Sequence, residues 1–482
     1  MQPKNLLFIM SDEHNSDFLG CAGHSMVRTP NLDALAVRGT VFENAYANCP
    51  ICVPSRASFA TGRYVHDCGY WDNADPYDGK VASWGHRLTA QGHRVESIGK
   101  LHYRDEDDDN GFERELIPLH VVGGVGDLVG LIRSDMPVRK GAAKFSQGVG
   151  PGETTYTTYD RNIALEAVAW LKAAADTPSD KPWVLFVSFV SPHFPLIAPP
   201  EFYDLYPESE VPWPLFYSEA ERPRHPYYRQ MRACLNYDSY FDEEMVRRGV
   251  AAYMGLCSFL DHNIGRILDA VSDCGLTDDT RIIYASDHGE ALGKRGLWGK
   301  STMFEESVGV PLIMAGPGIE AGERIVVPCS LVDCHPTIIQ TVGGVPHEKD
   351  SDLPGKSLFD LMAGGSEDRV VFSEYHAMAS PTGNFMVRKG RYKLSHFVGL
   401  EPELFDLEAD PHETTNLAAD PAMSGIRTDL EAELRKICHP EAVDAQARSD
   451  QQARLEKHGG RDAVLRMGDI GFSPAPVSGP GH

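Results

Sequence analysis

Short apolar runs punctuate this chain between longer stretches of helical period. Residues 6–10, 95–98, 183–190, 281–285, 310–314 and 370–372 are rich in Leu, Ile, Val, Phe and Ala, which predicts strands. Between the third and fourth runs, Tyr253, Leu256, Cys257, Leu260, Ile264, Ile267, Leu268 and Val271 recur at i, i+3, i+4 and i+7. That spacing predicts an amphipathic helix, with Gly275 and Thr280 marking the exit into the next strand. An earlier helix is expected to start near Asn31, after Pro30, with Leu32, Leu35 and Ala36 turned inward. Strands separated by helices imply a mostly parallel sheet covered on both faces.

Three regions break the rhythm. Residues 105–157 open on Asp105-Glu106-Asp107-Asp108-Asp109 and continue with many glycines, which reads as a long loop or insertion. Residues 202–241 hold eleven Phe, Tyr or Trp, against 9% aromatics in the whole chain, and suit either a packed excursion or a pocket wall, with packing preferred. After residue 366 strand-like runs return on a smaller scale, at Met386-Val387, Tyr392-Lys393-Leu394 and Leu404-Phe405-Asp406-Leu407. The expected organisation is a main α/β domain over 1–365, a small antiparallel α+β subdomain over 366–445, and a tail over 446–482. The tail ends in Pro, Gly and Ser and is expected to be disordered or docked on a neighbouring subunit.

Composition narrows the function. The charge balance of 45 − 69 = −24 argues against a nucleic-acid partner, which needs clustered Lys and Arg. The first apolar run is five residues long and closed by Ser11-Asp12, too short for a signal-peptide core or a membrane span, so a soluble, cytoplasmic protein is expected. Ten scattered cysteines in 482 residues predict reduced, buried thiols rather than a disulfide framework.

Four predicted strands run straight into residues able to hold a metal or an anion. Residues 6–10 lead to Asp12-Glu13-His14, and 95–98 to Gly99-Lys100-Leu101-His102. Residues 183–190 lead to Ser191-Pro192-His193, and 281–285 to Ser286-Asp287-His288-Gly289-Glu290. Ligands gather at the carboxyl ends of strands in an open parallel sheet, so these clusters are expected to converge. Asp12 and Asp287 offer hard oxygens and His288 a nitrogen, a set that suits Ca²⁺, Mg²⁺ or Mn²⁺ better than zinc.

The most specific segment is Cys52-Val53-Pro54-Ser55-Arg56-Ala57-Ser58-Phe59-Ala60-Thr61-Gly62-Arg63. It resembles the signature of the sulfatases, Cys-x-Pro-x-Arg followed by Thr-Gly-Arg, in which the cysteine is oxidised to the aldehyde formylglycine. The resemblance extends through Thr29-Pro30-Asn31-Leu32, the Lys100 and His193 segments, Ser286–Glu290 with Lys300, and Glu403-Leu404-Phe405-Asp406-Leu407. It implies an alkaline-phosphatase-like α/β sandwich with a large, mostly parallel central sheet and a small C-terminal antiparallel sheet.

The resemblance also implies roles. Cys52, as formylglycine, would hydrate and attack sulfur beside one divalent cation held by Asp12, Asp287 and His288, with Glu13 as a further candidate ligand. Ca²⁺ is the foremost ion, with Mn²⁺ and Mg²⁺ as alternatives. Lys100, His102, His193 and Lys300 would surround the transferring group, with His193 or His102 as general acid and Arg56 beside the aldehyde. Asn73, in Tyr70-Trp71-Asp72-Asn73-Ala74, would donate to a substrate oxygen. The Asp-His pair looks most like choline sulfatases and phosphonate monoester hydrolases. The implied activity is hydrolysis of sulfate monoesters, arylsulfatase-like, and the implied partners are a small sulfate ester and a formylglycine-generating maturation enzyme. The tail and the resemblance together imply a homodimer or homotetramer.

Two rival readings use the same residues. Phosphonate monoester or phosphodiester hydrolysis needs the same nucleophile and metal, and Lys100 with His102 favours sulfate. Cys49-Pro50-Ile51-Cys52 is also a C-x-x-C, the pattern of a dithiol oxidoreductase, but no short thioredoxin-like frame surrounds it.

Overall fold

Strand β1, Asn5–Asp12, shows how the molecule is layered. Leu6, Phe8 and Met10 join one apolar core and Leu7 and Ile9 the other, all of them fully buried. Successive side chains of a strand point to opposite faces, so a run that is apolar throughout demands cover on both. The computed structural model describes residues 2–177, 179–365, 368–469 and 472–476. Within it β1 lies near the centre of an eight-stranded sheet.

The other strands of that sheet are β2 (Gly39–Phe42), β3 (Val95–Lys100), β4 (Arg114–Leu119), β5 (Val184–Pro192), β6 (Thr280–Ser286), β7 (Leu312–Ala315) and β8 (Glu323–Ile325). Their spatial order is β8-β2-β7-β6-β1-β5-β3-β4. Every pairing is parallel except the two made by β7. The parallel sheet therefore forms as expected. Three of its strands, β2, β4 and β8, are not marked by an apolar run long enough to predict them.

Helices α1 (Pro30–Val37), α2 (Cys52–Thr61), α3 (Thr155–Asp176) and α4 (Glu243–Asp273) flank the sheet. On one face Ile163 and Leu171 of α3 pack with Leu260, Ile264 and Ile267 of α4. On the other, Phe59 of α2 packs between Phe8 and Phe186, ring centroids 5.0 and 5.6 Å away. No helix among the described residues is long and apolar enough to cross a membrane.

Residues 105–157 are more ordered than a plain insertion. They supply edge strand β4 and the first turn of α3, which opens on a Thr154 capping box. The run at 370–372 belongs to the smaller sheet, whose strands are β9 (Val370–Tyr375), β10 (Asn384–Lys389), β11 (Tyr392–Phe397) and β12 (Glu403–Asp406), all antiparallel. Helix α5, Ser424–Ile437, covers one face through Leu430 and Leu434. The other face packs on Tyr227, Tyr228 and Met231, so much of the aromatic excursion is packing.

The boundary expected at 446 falls inside helix α6, Pro440–Lys457, and residues 472–473 lie against the body of the same chain. Residues 366–367 of the expected junction, and 470–471 and 477–482 of the expected tail, lie outside the described residues.

A buried ion pair ties the smaller sheet to the main domain. Glu374 of β9 accepts from His66 Nδ1 at 2.7 Å and from its backbone N–H at 2.9 Å, and it lies 3.1 Å from His376 Nε2. Burial works against both charges, yet the pair holds His66 up at about 9 and Glu374 down at about 2. Its stabilisation is complete between the ordinary values, about 4.5 for the carboxyl and 6.5 for the imidazole. It fades as pH falls from 4.5 through 2, and as pH rises from 6.5 through 9. The gap in melting temperature between wild type and Glu374→Gln is therefore widest near pH 5–6 and narrows toward pH 9. A gap independent of pH would contradict the assignment.

Candidate active site

The carboxyl ends of β1, β3, β5 and β6 meet at one point, and the N-terminus of α2 points at it. Cys52 is the first residue of α2, Pro54 occupies the first turn where no N–H is needed, and Gly62 ends the helix at φ 71°. A side chain at Gly62 would meet the His335 ring 2.9 Å away, so Gly is required on two grounds. Arg63 forks onto Asp352 at 3.0 and 2.9 Å. The Thr61-Gly62-Arg63 half of the signature therefore shapes and anchors the helix.

Asp12, Cys52, Asp287 and His288, all buried, bring one donor atom each within 4.8 Å of one another. Each carboxylate is divided between two tasks. Asp12 Oδ2 takes the Lys100 ammonium, while Oδ1 lies 3.6 Å from both Cys52 Sγ and His288 Nε2. Asp287 Oδ2 takes Arg56 Nε at 2.7 Å, while Oδ1 lies 3.6 Å from His288 Nε2. His288 Nδ1 meets the Gly289 carbonyl at 3.0 Å, which directs its proton there and leaves the Nε2 lone pair facing the cluster. Two hard oxygens and one imidazole nitrogen thus converge beside Sγ, and the donor set fits a divalent cation.

Glu13 turns away from that cluster. Its backbone takes φ 69°, and its Oε2 lies 3.2 Å from Lys300 Nζ and 3.5 Å from His193 Nε2. Asp12, Glu13 and His193 form a second triad of converging donors. The ammonium groups of Lys100 and Lys300 already face those carboxylates, so positive charge is present there as lysine.

Arg56 is the hub. Besides Asp287 it donates from Nη1 to the Lys100 carbonyl at 2.7 Å and to Ser188 Oγ at 2.9 Å, joining α2 to β3, β5 and the end of β6. Lys300 Nζ lies 3.3 Å from Cys52 Sγ. Asn73 accepts the Val53 N–H through Oδ1 at 3.1 Å, which leaves its NH₂ as a donor at the cavity wall. Glu13, Cys52, Asn73, Lys100, His102, His193 and Lys300 line one cavity; Asp12 and His288 lie against Cys52, and Arg56 and Asp287 pair with each other beside them.

The field is strongly cationic near Asp12. Burial would raise its carboxyl, but Lys100, His193, Lys300 and Arg56 hold it well below the usual range. Burial would lower Lys300, but Cys52, Glu13, Asp12 and Asp287 keep it well above the usual lysine value. Burial, then Lys100, lowers His102, and burial, then Lys300, lowers His193. Burial, then like charge from Glu290 and Asp12, raises Glu13 to about 8 against the pull of Lys300 and His288. The Cys52 thiol is pushed up to about 12 by burial and Asp12, against Lys300 and Lys100. Cys49 is also buried and raised well above its usual value. A redox pair needs an accessible, low-pKa thiolate, so the C-x-x-C reading fails.

The cavity encloses about 120 Å³. Both irregular regions contribute to it: Val121, Arg139, Phe145 and Tyr156 from the first, Leu235 and Tyr237 from the second. Phe472 and Ser473 complete it from the far end of the chain. Nothing in their local sequence marked these residues as part of a site.

Comparisons with known proteins agree with this geometry. The family model described as Sulfatase matches residues 4–345, and that of the N-sulphoglucosamine sulphohydrolase C-terminal region matches 293–439. The choline-sulfatase of Rhizobium meliloti is 33% identical over 461 residues, covering 93% of this chain and 90% of its own. Arylsulfatase K of Mus musculus is 28% identical over 468 residues, covering 92% and 81%. The crystal structure of the phosphonate monoester hydrolase of Agrobacterium radiobacter superposes with a TM-score of 0.72 at 25% identity, over 90% of this chain and 95% of that one. The fold is the alkaline-phosphatase-like sandwich. With a family signature seated at the strand ends and relatives matched across nearly its whole length, this chain belongs to the sulfatase family, hydrolases acting on sulfuric esters.

Proposed function

We propose that the protein hydrolyses small sulfate monoesters with a formylglycine made from Cys52, beside one divalent cation held by Asp12, Asp287 and His288. Ca²⁺ is the ion this oxygen-rich set suits best. The observation that carries the reading is the convergence of the three donors on Cys52 Sγ, the atom that stands where a hydroxyl of hydrated formylglycine would lie. Together the aldehyde hydrate and the cation supply a nucleophilic oxygen at neutral pH and a Lewis acid for the sulfate oxygens.

The rest of the chemistry belongs to the surrounding side chains. Lys100 and Lys300 put two buried ammonium groups at the site, where they oppose charge building on the sulfuryl oxygens. His193 faces Glu13, whose carboxyl holds a proton up to about pH 8, so a proton for the leaving alcohol is stored within the site. Arg56 fixes Asp287 and the backbone after β3, and so the spacing of nucleophile to lysine. Phe145, Phe194 and Trp298 give the leaving group an apolar wall. A formylglycine-generating enzyme is the required partner.

Phosphonate monoester hydrolysis is the second reading, supported by the likeness to the Agrobacterium radiobacter enzyme. A panel of aryl sulfate, phosphate and phosphonate esters, each with Ca²⁺, Mn²⁺ or Mg²⁺ after chelation, separates the two. The ratio of kcat/KM for aryl sulfate over aryl phosphonate is expected above one. A ratio clearly below one would reassign the substrate.

A further inference from the structure

Asp469 ties the end of the chain to the loop above the cavity. Its carboxylate lies 2.8 Å from Arg139 Nε and accepts the Lys140 N–H at 2.6 Å. Four positions later the chain reaches the site itself. Phe472 packs on Tyr156 and Phe194, with ring centroids 5.4 and 6.1 Å away. Ser473 is 5% exposed, its Oγ lies 3.2 Å from His102 Nε2, and the same oxygen accepts the Val122 N–H at 3.1 Å. The Ser473 carbonyl accepts from Tyr156 OH.

These contacts bear on where the His102 proton sits. A hydroxyl has one proton and two lone pairs. With the Val122 N–H on one lone pair, Ser473 Oγ can donate its proton to His102 Nε2, which places the ring proton on Nδ1, or accept from Nε2–H through the other lone pair. Nδ1 is buried and has no partner among the described residues. His102 lines the cavity beside Cys52, Lys100 and His193. Buried N–H groups without partners are rare in folded chains, so in the Nδ1–H form this nitrogen needs an acceptor, and at a cavity wall the substrate can bring one.

We propose that Ser473 is a positioning residue: its hydroxyl holds His102 in the Nδ1–H form, so that the imidazole presents a ready donor to the substrate or its hydrated aldehyde partner. The C-terminal stretch thereby completes the site in the same chain that supplies Cys52. The activity part of this inference rests on the ester-hydrolase reading above. The tautomer part does not.

The test uses full-length protein labelled with ¹⁵N-histidine, with long-range ¹H–¹⁵N spectra and the His102 signals identified by their loss in His102→Gln. The wild type is expected to show His102 as the Nδ1–H form, Ser473→Ala to shift it toward the other form, and Ser473→Thr to retain it. With p-nitrophenyl sulfate, Ser473→Ala should lower kcat roughly tenfold with little change in KM, and Ser473→Thr should restore it. A wild-type His102 in the Nε2–H form would overturn the proposal, as would His102 signals unmoved by Ser473→Ala, or a loss of kcat that Thr does not repair. A wild type that turns over no sulfate ester would instead defeat the ester-hydrolase reading, and the spectra would still decide the tautomer.

Discussion

Cys52→Ala is expected to lower kcat/KM for an aryl sulfate by roughly 10⁴-fold or more, because it removes the group proposed to become the nucleophile. The fold should survive. The Sγ atom contacts the polar groups of Asp12, His288 and Lys300. Its loss leaves a void smaller than a methylene pair and costs about 1 kcal/mol. Cys52→Ser is the sharper variant: it keeps a hydroxyl of suitable size but, with intact mass confirming an unoxidised serine, lacks the second hydroxyl of an aldehyde hydrate and so cannot expel sulfate after transfer. Steady-state rates and thermal melts of both variants check this. Near-normal turnover by either would reject the mechanism.

Arg56→Met should be the most damaging single change to stability, and it should cost activity as well. It strips the buried Asp287 of its partner and orphans the Lys100 carbonyl and Ser188 Oγ. Breaking a buried pair from one side costs about 3–5 kcal/mol, since a charge remains in low dielectric without compensation. The shift of Asp287 then disturbs the donor set, and a fall in kcat of about 10²–10³-fold follows from the lost alignment. Arg56→Lys separates the two effects. It restores part of the charge but cannot satisfy Asp287, Lys100 and Ser188 together, so stability should recover more than rate. A melting temperature for Arg56→Met equal to wild type would show that the hub is not structural.

The parts of the molecule open to reading from sequence are those whose causes are local. Leu6-Leu7-Phe8-Ile9-Met10 announces a central strand because both faces are buried, and the observed strand runs on through Ser11 and Asp12 because ladder bonds do not need apolar side chains. Arg114–Leu119 went unread for the opposite reason: as an edge strand it is half-exposed and shows no alternation, with Pro118 inside it. Helix Thr155–Asp176 begins Thr-Tyr-Thr-Thr-Tyr, residues of poor helix propensity, and is held by packing of Ile163 and Leu171 instead.

The site divides in the same way. Cys52 and Arg56, in the first turns of α2, and Asp287 and His288, just after β6, were open to reading because motif spacing ties each pair to one short segment. The wall was not. Ser473 meets His102 across 371 residues, and Arg139 and Tyr237 enter the cavity from irregular segments whose path only the folded chain defines. Glu13 shows a finer limit. The resemblance made it a candidate ligand, and its left-handed backbone sets the carboxylate beside Lys300 and His193, contacts that the sequence does not announce.

The most direct measurement is tandem mass spectrometry of the tryptic peptide spanning residues 39–56, from protein made with and without a formylglycine-generating enzyme. The expected result is an aldehyde at position 52, trapped by a hydrazide reagent, with Cys49 still a thiol and aryl-sulfate turnover rising in proportion to the aldehyde. Full sulfate hydrolysis by protein whose residue 52 remains a cysteine would contradict it.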